Sequence, residues 1–230
     1  MNNNFVKYQD LLSITKVNSK TENEEFIKLP QKGNQVIGKY VTKLNELEYS
    51  KDISIRQKVY EMLIKVDNLL KKENQNYQIM VVYGYRALEK QIEYFNKEIS
   101  KYQSKFDNEL DLYEFVHEKI AVPSVSGHPT GGAVDVVIYD NKEKRIIDFG
   151  TKVHDFNKGK SYINYDKISL CAKNNRFLLR KLMMRVGFAP YDGEWWHFSY
   201  GDKEWAYYYK RKKYLYPQVN KNIVYKTRKI

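Results

Sequence analysis

Cysteine is almost missing from this chain of 230 residues. The single one, Cys171, excludes an internal disulfide and cannot build a thiolate metal cage. It falls in a segment of helical periodicity and reads as a core thiol. No apolar run approaches the ~20 residues that a membrane span needs. The first eight residues lack the basic region and apolar stretch of a signal peptide. These absences place the chain in a reducing cytoplasm, or in the periplasm or envelope if a signal has been removed. No internal repeat, low-complexity linker or nucleic-acid-binding signature is present. Histidine is scarce as well, with four in the chain.

A hydrophobic content of 42% with 15% aromatic residues describes a globular chain long enough for a proper core. The formal net charge of +12 reads first as a lysine-rich solvated exterior. It also permits attraction to anionic polymers, although no nucleic-acid partner is expected. Residues 1–50 are mixed and form an N-terminal arm or cap, in which 35–41 is a strand or an extended piece. From Ser54 to Lys72, Ile55, Val59, Met62, Leu63, Val66, Leu69 and Leu70 recur at helical spacing, with Ser54 as N-cap. Residues 77–83 form an Ile/Val/Tyr-rich strand, followed by a helix over 87–99. Another helix spans 110–120 and carries His117, read as a surface or core residue. The strand to Tyr139 turns into a short partner at 145–147. Residues 148–165 are irregular and polar. A helix over 168–186, stopped by Gly187, shares a face of Leu170, Phe177, Leu178, Leu182 and Val186. A turn then leads into the strand 195–200, and 203–230 is an aromatic, basic stretch. The economical architecture is one α+β domain over 1–230, with 77–200 as its core.

Two segments carry chemistry. In the first, a loop from Ser124 to Gly132 leads into the apolar run 133–139, which is interrupted by Asp135. A carboxylate inside such a strand is costly unless paired or bound to a metal. The loop glycines let His128 fold back towards it. The second segment is Glu194-Trp195-Trp196-His197-Phe198. His128, Asp135 and His197 would give two imidazoles and one carboxylate, the ligand count of a catalytic zinc with an open fourth position. Glu194 is then the candidate general base. On a regular strand Glu194 and His197 face opposite sides, so both reach one cleft only through a bulge or a strand start. Alternatively, the two histidines are satisfied polar residues in unrelated places. Arg86, at a strand-to-helix turn, is either a surface ion-pair donor or a guanidinium positioned in a cleft.

The pattern Ser126-x-His128-x-x-Gly131-x-Ala133-x-Asp135 with Glu194-x-x-His197 resembles the zinc D-alanyl-D-alanine dipeptidases of the vancomycin-resistance type. These belong to a larger family of D,D-carboxypeptidases and related peptidoglycan peptidases. Gly84-Tyr85-Arg86 is similar to that family's arginine turn, and the resemblance runs from about residue 77 to about residue 200. It implies an α+β fold with a central antiparallel sheet and helices around it. It further implies one zinc per chain on His128, Asp135 and His197, with Glu194 as base and proton donor. Arg86 would stabilise the oxyanion, and Ser126 would help hold the substrate. The substrate implied is a free D-amino-acid dipeptide, or alternatively a peptidoglycan muropeptide; a zinc-stabilised binding module without catalysis is the remote alternative. Where the dipeptidases carry an aspartate for the substrate ammonium, this chain has His154, so either Asp155 beside it takes over or the substrate is not simply D-alanyl-D-alanine.

Overall fold

Residues 79–82 and 133–138 are apolar at nearly every position because both of their faces are covered. They lie in the middle of a sheet in a computed structural model that describes residues 5–16, 24–41 and 52–219. From the N-terminus come helix α1 (Tyr8–Leu12) and strands β1 (Thr15–Lys16), β2 (Phe26–Lys28), β3 (Ile37–Gly38) and β4 (Ser54–Arg56). Helix α2 (Gln57–Glu73), strand β5 (Tyr77–Tyr83), helix α3 (Leu88–Tyr102) and helix α4 (Glu109–His117) follow. Next are β6 (Ala133–Asp140), β7 (Arg145–Ile146), α5 (Leu170–Val186) and β8 (Ala189–Tyr191). The last elements are β9 (Glu194–Ser199), α6 (Lys203–Tyr208) and β10 (Lys213–Tyr214).

The main sheet runs β3-β5-β6-β9-β8, with β7 paired to the end of β6. Its pairings are antiparallel apart from the edge, where β3 lies parallel to β5. The fold is thus α+β, with a mixed rather than wholly antiparallel sheet. The parallel edge comes from the N-terminal segment, whose Ile37 and Gly38 align with Met80 and Val81. Helices α2 and α5 pack together and against the sheet, burying Val59, Leu63, Val66, Leu70, Leu179 and Leu182. A second apolar cluster joins Leu11, Phe95, Leu112, Val116 and Trp205 from the remaining helices. Among the described residues no helix is long and apolar enough to cross a membrane.

Several local expectations change. The helix expected from Ser54 begins at Gln57, because residues 54–56 pair with β2 and are buried in extended conformation. Ser54 is therefore a strand residue, and the N-cap position belongs to Arg56, without a side-chain capping bond. Helix α5 is capped by Ser169, which accepts the Ala172 N–H, and ends at Gly187 with φ +105°. Its buried face is Ala172, Arg176, Leu179, Leu182 and Met183. Leu170 and Phe177 are 73% and 50% exposed, so the expected face is rotated. The cause is Arg176, which takes a core position that hydrophobicity would never assign to it. Cys171 is exposed on the first turn, not a core thiol. The expected arm splits between α1, β1, β2 and β3, and the tail from 220 onward lies outside the described residues.

The Arg176 guanidinium is fully buried and shapes the irregular segment after β7. It donates to the carbonyls of Phe149 (2.9 Å), Tyr162 (2.6 Å) and Lys160 (3.2 Å) and to Thr151 Oγ1 (2.7 Å). Its charge lies over the Trp195 ring at 5.2 Å, and burial lowers its pKa to about 10. Arg176→Met keeps the volume but orphans these acceptors, and should destabilise the fold by roughly 3 kcal/mol in chemical denaturation.

Candidate metal centre and active-site cleft

Sheet register assembles the centre. Asp135 on β6 pairs directly with His197 on β9 and, on its other side, with Tyr83 on β5. Cross-strand partners project from the same face. Residues distant in sequence therefore form one row, while alternation turns Val134 and Val136 into the opposite core. His128 reaches the row from a short 3-10 turn, His128–Thr130, closed by Gly131 at φ +72°. A Cβ on Gly131 would stand 2.1 Å from the Phe26 ring, so both the angle and the space require glycine. Arg56 holds this turn by donating Nε–H to the Thr130 carbonyl at 2.7 Å.

Glu194 and His197 line the same cleft although they lie three residues apart on one strand. The β8–β9 register is broken there: Pro190 pairs with Phe198 and Tyr191 with Glu194. The three residues between bulge away from β8, so the alternation that would separate the two side chains is interrupted.

The metal-ligating atoms offered by His128, Asp135 and His197 lie within 4.8 Å of one another, and all three residues are buried. Each is also held from behind. His128 Nδ1 donates to the Gly84 carbonyl at 2.8 Å, turning Nε2 towards Asp135 Oδ1 at 3.5 Å. His197 Nδ1 stands 3.0 Å from Asp135 Oδ1, while its Nε2 faces Glu204 Oε2 at 3.5 Å. The outer oxygen, Asp135 Oδ2, accepts from His154 Nε2 at 2.9 Å. Two imidazoles and a carboxylate, each oriented by a further partner and open to a cleft on one side, fit a divalent metal.

Burial and the neighbouring charges tune the centre. Burial pushes the Glu194 carboxyl up to about 7, with the Asp135 charge adding to the rise and His197 opposing it. Burial also pulls the His128 ring down to about 4, against the attraction of Asp135. At His197 burial acts in the same sense, but Asp135 and Glu204 outweigh it and hold the imidazolium well above its ordinary range. At Asp135 burial favours the acid, and the surrounding histidines overcome it to keep the carboxylate far below the usual range.

The cleft has a volume of about 260 Å³. That is under the roughly 300–1,000 Å³ of sites that take drug-sized ligands. Arg86 lines it, fixed by Nε–H to Tyr83 Oη (2.9 Å) and by a second bond to Gln91 Oε1 (2.6 Å). Gly84, just before it, is pressed against β4: a Cβ there would lie 2.5 Å from the Ser54 carbonyl. Ser126 and His154 also line the cleft, whereas Asp155 does not. Asp155 turns to Lys160 Nζ (3.0 Å) and Asn157 (2.9 Å) instead. His154 has φ +61°, a left-handed backbone that swings its ring back onto Asp135.

Sequence reasoning passed over several lining residues: Glu204, His117, Tyr191, Gln91, and Val6 and Leu11 from the N-terminal segment. His117 is expected from the sequence as a surface or core residue. It is buried at the cleft wall, and its Nδ1 accepts the Val122 N–H at 3.1 Å. Apart from position seven residues after His197, no sequence signal marks Glu204.

Three comparisons with known proteins bear on this geometry. The peptidase M15 family model, described as D-ala-D-ala dipeptidase, matches residues 34–220. A D-alanyl-D-alanine dipeptidase of Synechocystis is 30% identical over 118 residues, covering 44% of this chain and 47% of the relative. One from Enterococcus faecium is 32% identical over 94 residues, covering 41% of this chain and 46% of the relative. The chain thus spans about half the length of the curated relatives it matches. Among solved structures, the LdcB LD-carboxypeptidase aligns with 92% of this chain and 95% of its own at TM-score 0.49 and 19% identity. The vancomycin resistance D,D-dipeptidase VanXYg aligns with 87% of this chain and 68% of its own at TM-score 0.39 and 20% identity. Likenesses that distant add nothing to the family match.

The centre should bind one divalent ion per chain, measured by titration calorimetry. At an ion concentration 100-fold above Kd, unfolding free energy should rise by about 2.7 kcal/mol. Asp135→Ala should abolish both effects. Because His197 is protonated without the ion, binding at neutral pH should release about one proton, seen as a buffer-dependent enthalpy. Affinity should then rise with pH until His197 is neutral.

Proposed function

The chain belongs to the peptidase M15 family of D-Ala-D-Ala dipeptidases, and from that premise we propose that it is a zinc metallopeptidase that hydrolyses the peptide bond of a free D-amino-acid dipeptide. The observation that carries this reading is the convergence of the ligand group, Glu194 and Arg86 on one small cleft. His128, Asp135 and His197 would hold the ion, a nitrogen-and-oxygen donor set suited to zinc. When bound, zinc supplies Lewis-acid polarisation of a carbonyl and a lowered water pKa.

The chain's own groups account for the remaining steps. Glu194, whose carboxyl titrates near neutrality, takes a proton from the attacking water. The water oxygen bonds to the scissile carbonyl carbon, and negative charge develops on the carbonyl oxygen. Arg86, held by Tyr83 and Gln91, faces that charge with little reorganisation. Glu194 then passes its proton to the leaving amine as the carbon–nitrogen bond breaks. Ser126 offers a hydroxyl to the substrate, and His154 orients Asp135 rather than meeting the substrate's charge.

The test is release of D-alanine from free D-Ala-D-Ala and from a muropeptide pentapeptide, each with and without a chelator. Chelator-sensitive cleavage of the dipeptide alone is expected; cleavage of the pentapeptide stem would make the chain a D,D-carboxypeptidase. Glu194→Gln should lower kcat by roughly 10²- to 10⁴-fold while zinc remains bound. A parent-like rate in that variant would sink the mechanism. Arg86→Lys retains the charge but not the two-point hold, and should cost about 10²-fold, chiefly in kcat.

A further inference from the structure

The family match begins at residue 34, yet two residues of the cleft wall precede it. Val6 and Leu11 line the cleft from the N-terminal segment, alongside Ile120 and Val125. The ligand group, Glu194 and Arg86 come from the main sheet and its turns, whereas these four side chains belong to the second apolar cluster or pack against it. The cleft thus has a polar part that carries the chemistry and an apolar part that carries none. An apolar wall gains only from an apolar group that covers it and displaces its water. The group such a wall accommodates is an apolar substituent of the bound molecule.

The segment owes its position to contacts made outside itself. Helix α1 has five residues, well below the length at which a helix is stable alone, and Lys7 at its N-cap makes no side-chain capping bond. Glu114 on α4 supplies the missing acceptors: one carboxylate oxygen takes the Tyr8 N–H at 2.8 Å and the other the Gln9 N–H at 2.9 Å. On the other side of Val6, the Phe5 ring packs on Tyr162 and on the cleft residue Tyr191, at 5.0 and 6.3 Å between centroids. Tyr207 Oη donates to Asp10 Oδ2 at 3.1 Å, and β1 pairs with β10. Val6 is half-buried between the Phe5 contact and the Glu114 clip, and Leu11 is buried further along α1. A wall fixed on both sides does not recede for a larger group without breaking the Glu114 bonds.

We propose that the N-terminal segment sets the size of the substrate's side chain: Val6 and Leu11 bound a subsite that admits a methyl group and excludes an aromatic ring, and Glu114 holds that boundary in place. This rests on the peptidase reading above and adds to it a selection made by residues outside the family-matched region.

The test compares kcat/KM for D-Ala-D-Ala, D-Phe-D-Ala and D-Ala-D-Phe in the zinc-loaded parent chain, Val6→Ala, Val6→Phe and Glu114→Gln, with hydrogen exchange followed at the Tyr8 and Gln9 amides. The parent should disfavour at least one phenylalanine dipeptide by more than about tenfold, and which one identifies the residue that meets the wall. Val6→Ala should recover about tenfold of that loss, mostly through KM because the wall touches no reacting atom, and Val6→Phe should deepen it. Damage to the fold would instead move both variants in the same direction. Glu114→Gln leaves one acceptor where there were two, so it should shift selectivity as Val6→Ala does and speed exchange at both amides. The Val6 pair keeps the test decisive if Glu114→Gln folds poorly. A parent that cleaves all three dipeptides equally well would overturn the proposal and leave the peptidase reading standing. So would a selectivity unchanged in the Val6 variants, or shifted the same way in both. A parent chain that cleaves none of the three would overturn both readings.

Discussion

The Asp135 carboxylate is the constraint around which the rest is arranged. An ionised carboxylate at the centre of a sheet, 1% exposed, persists only if donors or a cation surround it. Here three imidazoles surround it, His197 and His154 as donors and His128 with the unprotonated Nε2 that a cation would take, and each arrives by a different structural route. His197 comes by strand register, His128 by a glycine-closed turn, and His154 by a left-handed residue in an otherwise irregular segment. A register slip between β6 and β9 would turn His197 or Asp135 to the opposite face and leave a charge in the apolar core. The fold and the site are therefore specified by the same pairings.

Buried arginines perform the matching task for the loops. Arg56 ties the His128 turn to β4, and its guanidinium lies over the Phe26 and Tyr216 rings at 5.0 and 4.4 Å. Arg176 gathers the carbonyls of the segment that carries His154. Both side chains convert irregular backbone, which has no ladder to satisfy it, into fixed walls. Arg86 is fixed in turn by Tyr83 and Gln91, so the cleft's own cation is braced before any substrate arrives. Such bracing separates a group held for a developing charge from one that must first be reorganised.

The distribution of charge in the cleft follows from these commitments. Asp135 is neutralised by its histidines, Arg86 lies on the β5 side, and Glu194 and Glu204 enter from the β9–α6 side. Val6 and Leu11 add apolar wall, and Tyr8 and Gln9 are tied down through Glu114, which accepts both backbone N–H groups at 2.8 and 2.9 Å. The N-terminal segment thus contributes to the enclosure as well as, through β3, to the sheet edge.

The amino-acid sequence alone determined the elements with strong periodicity and the residues whose type is chemically unusual for their setting. A seven-residue β-rich strand, long amphipathic helices, and an aspartate inside an apolar strand with histidines nearby are local signals, and local patterns are readable without coordinates. The need for a bulge near Glu194 was legible because two cleft residues three apart on a strand contradict the pleat. What tertiary structure decided lay in long-range partnership. Ser54 looked like a helix cap until β2 paired with its segment, and the α5 stripe was misread because Arg176 finds its acceptors more than ten residues away. Asp155 was the natural electrostatic substitute beside His154, yet local bonds to Lys160 and Asn157 turn it outward. Glu204 carries no motif at all; it becomes a cleft residue only because α6 packs where its first turn meets His197. Side-chain direction, loop path and the pairing of buried charges depend on contacts the chain makes with itself after folding, and one-dimensional pattern does not contain them.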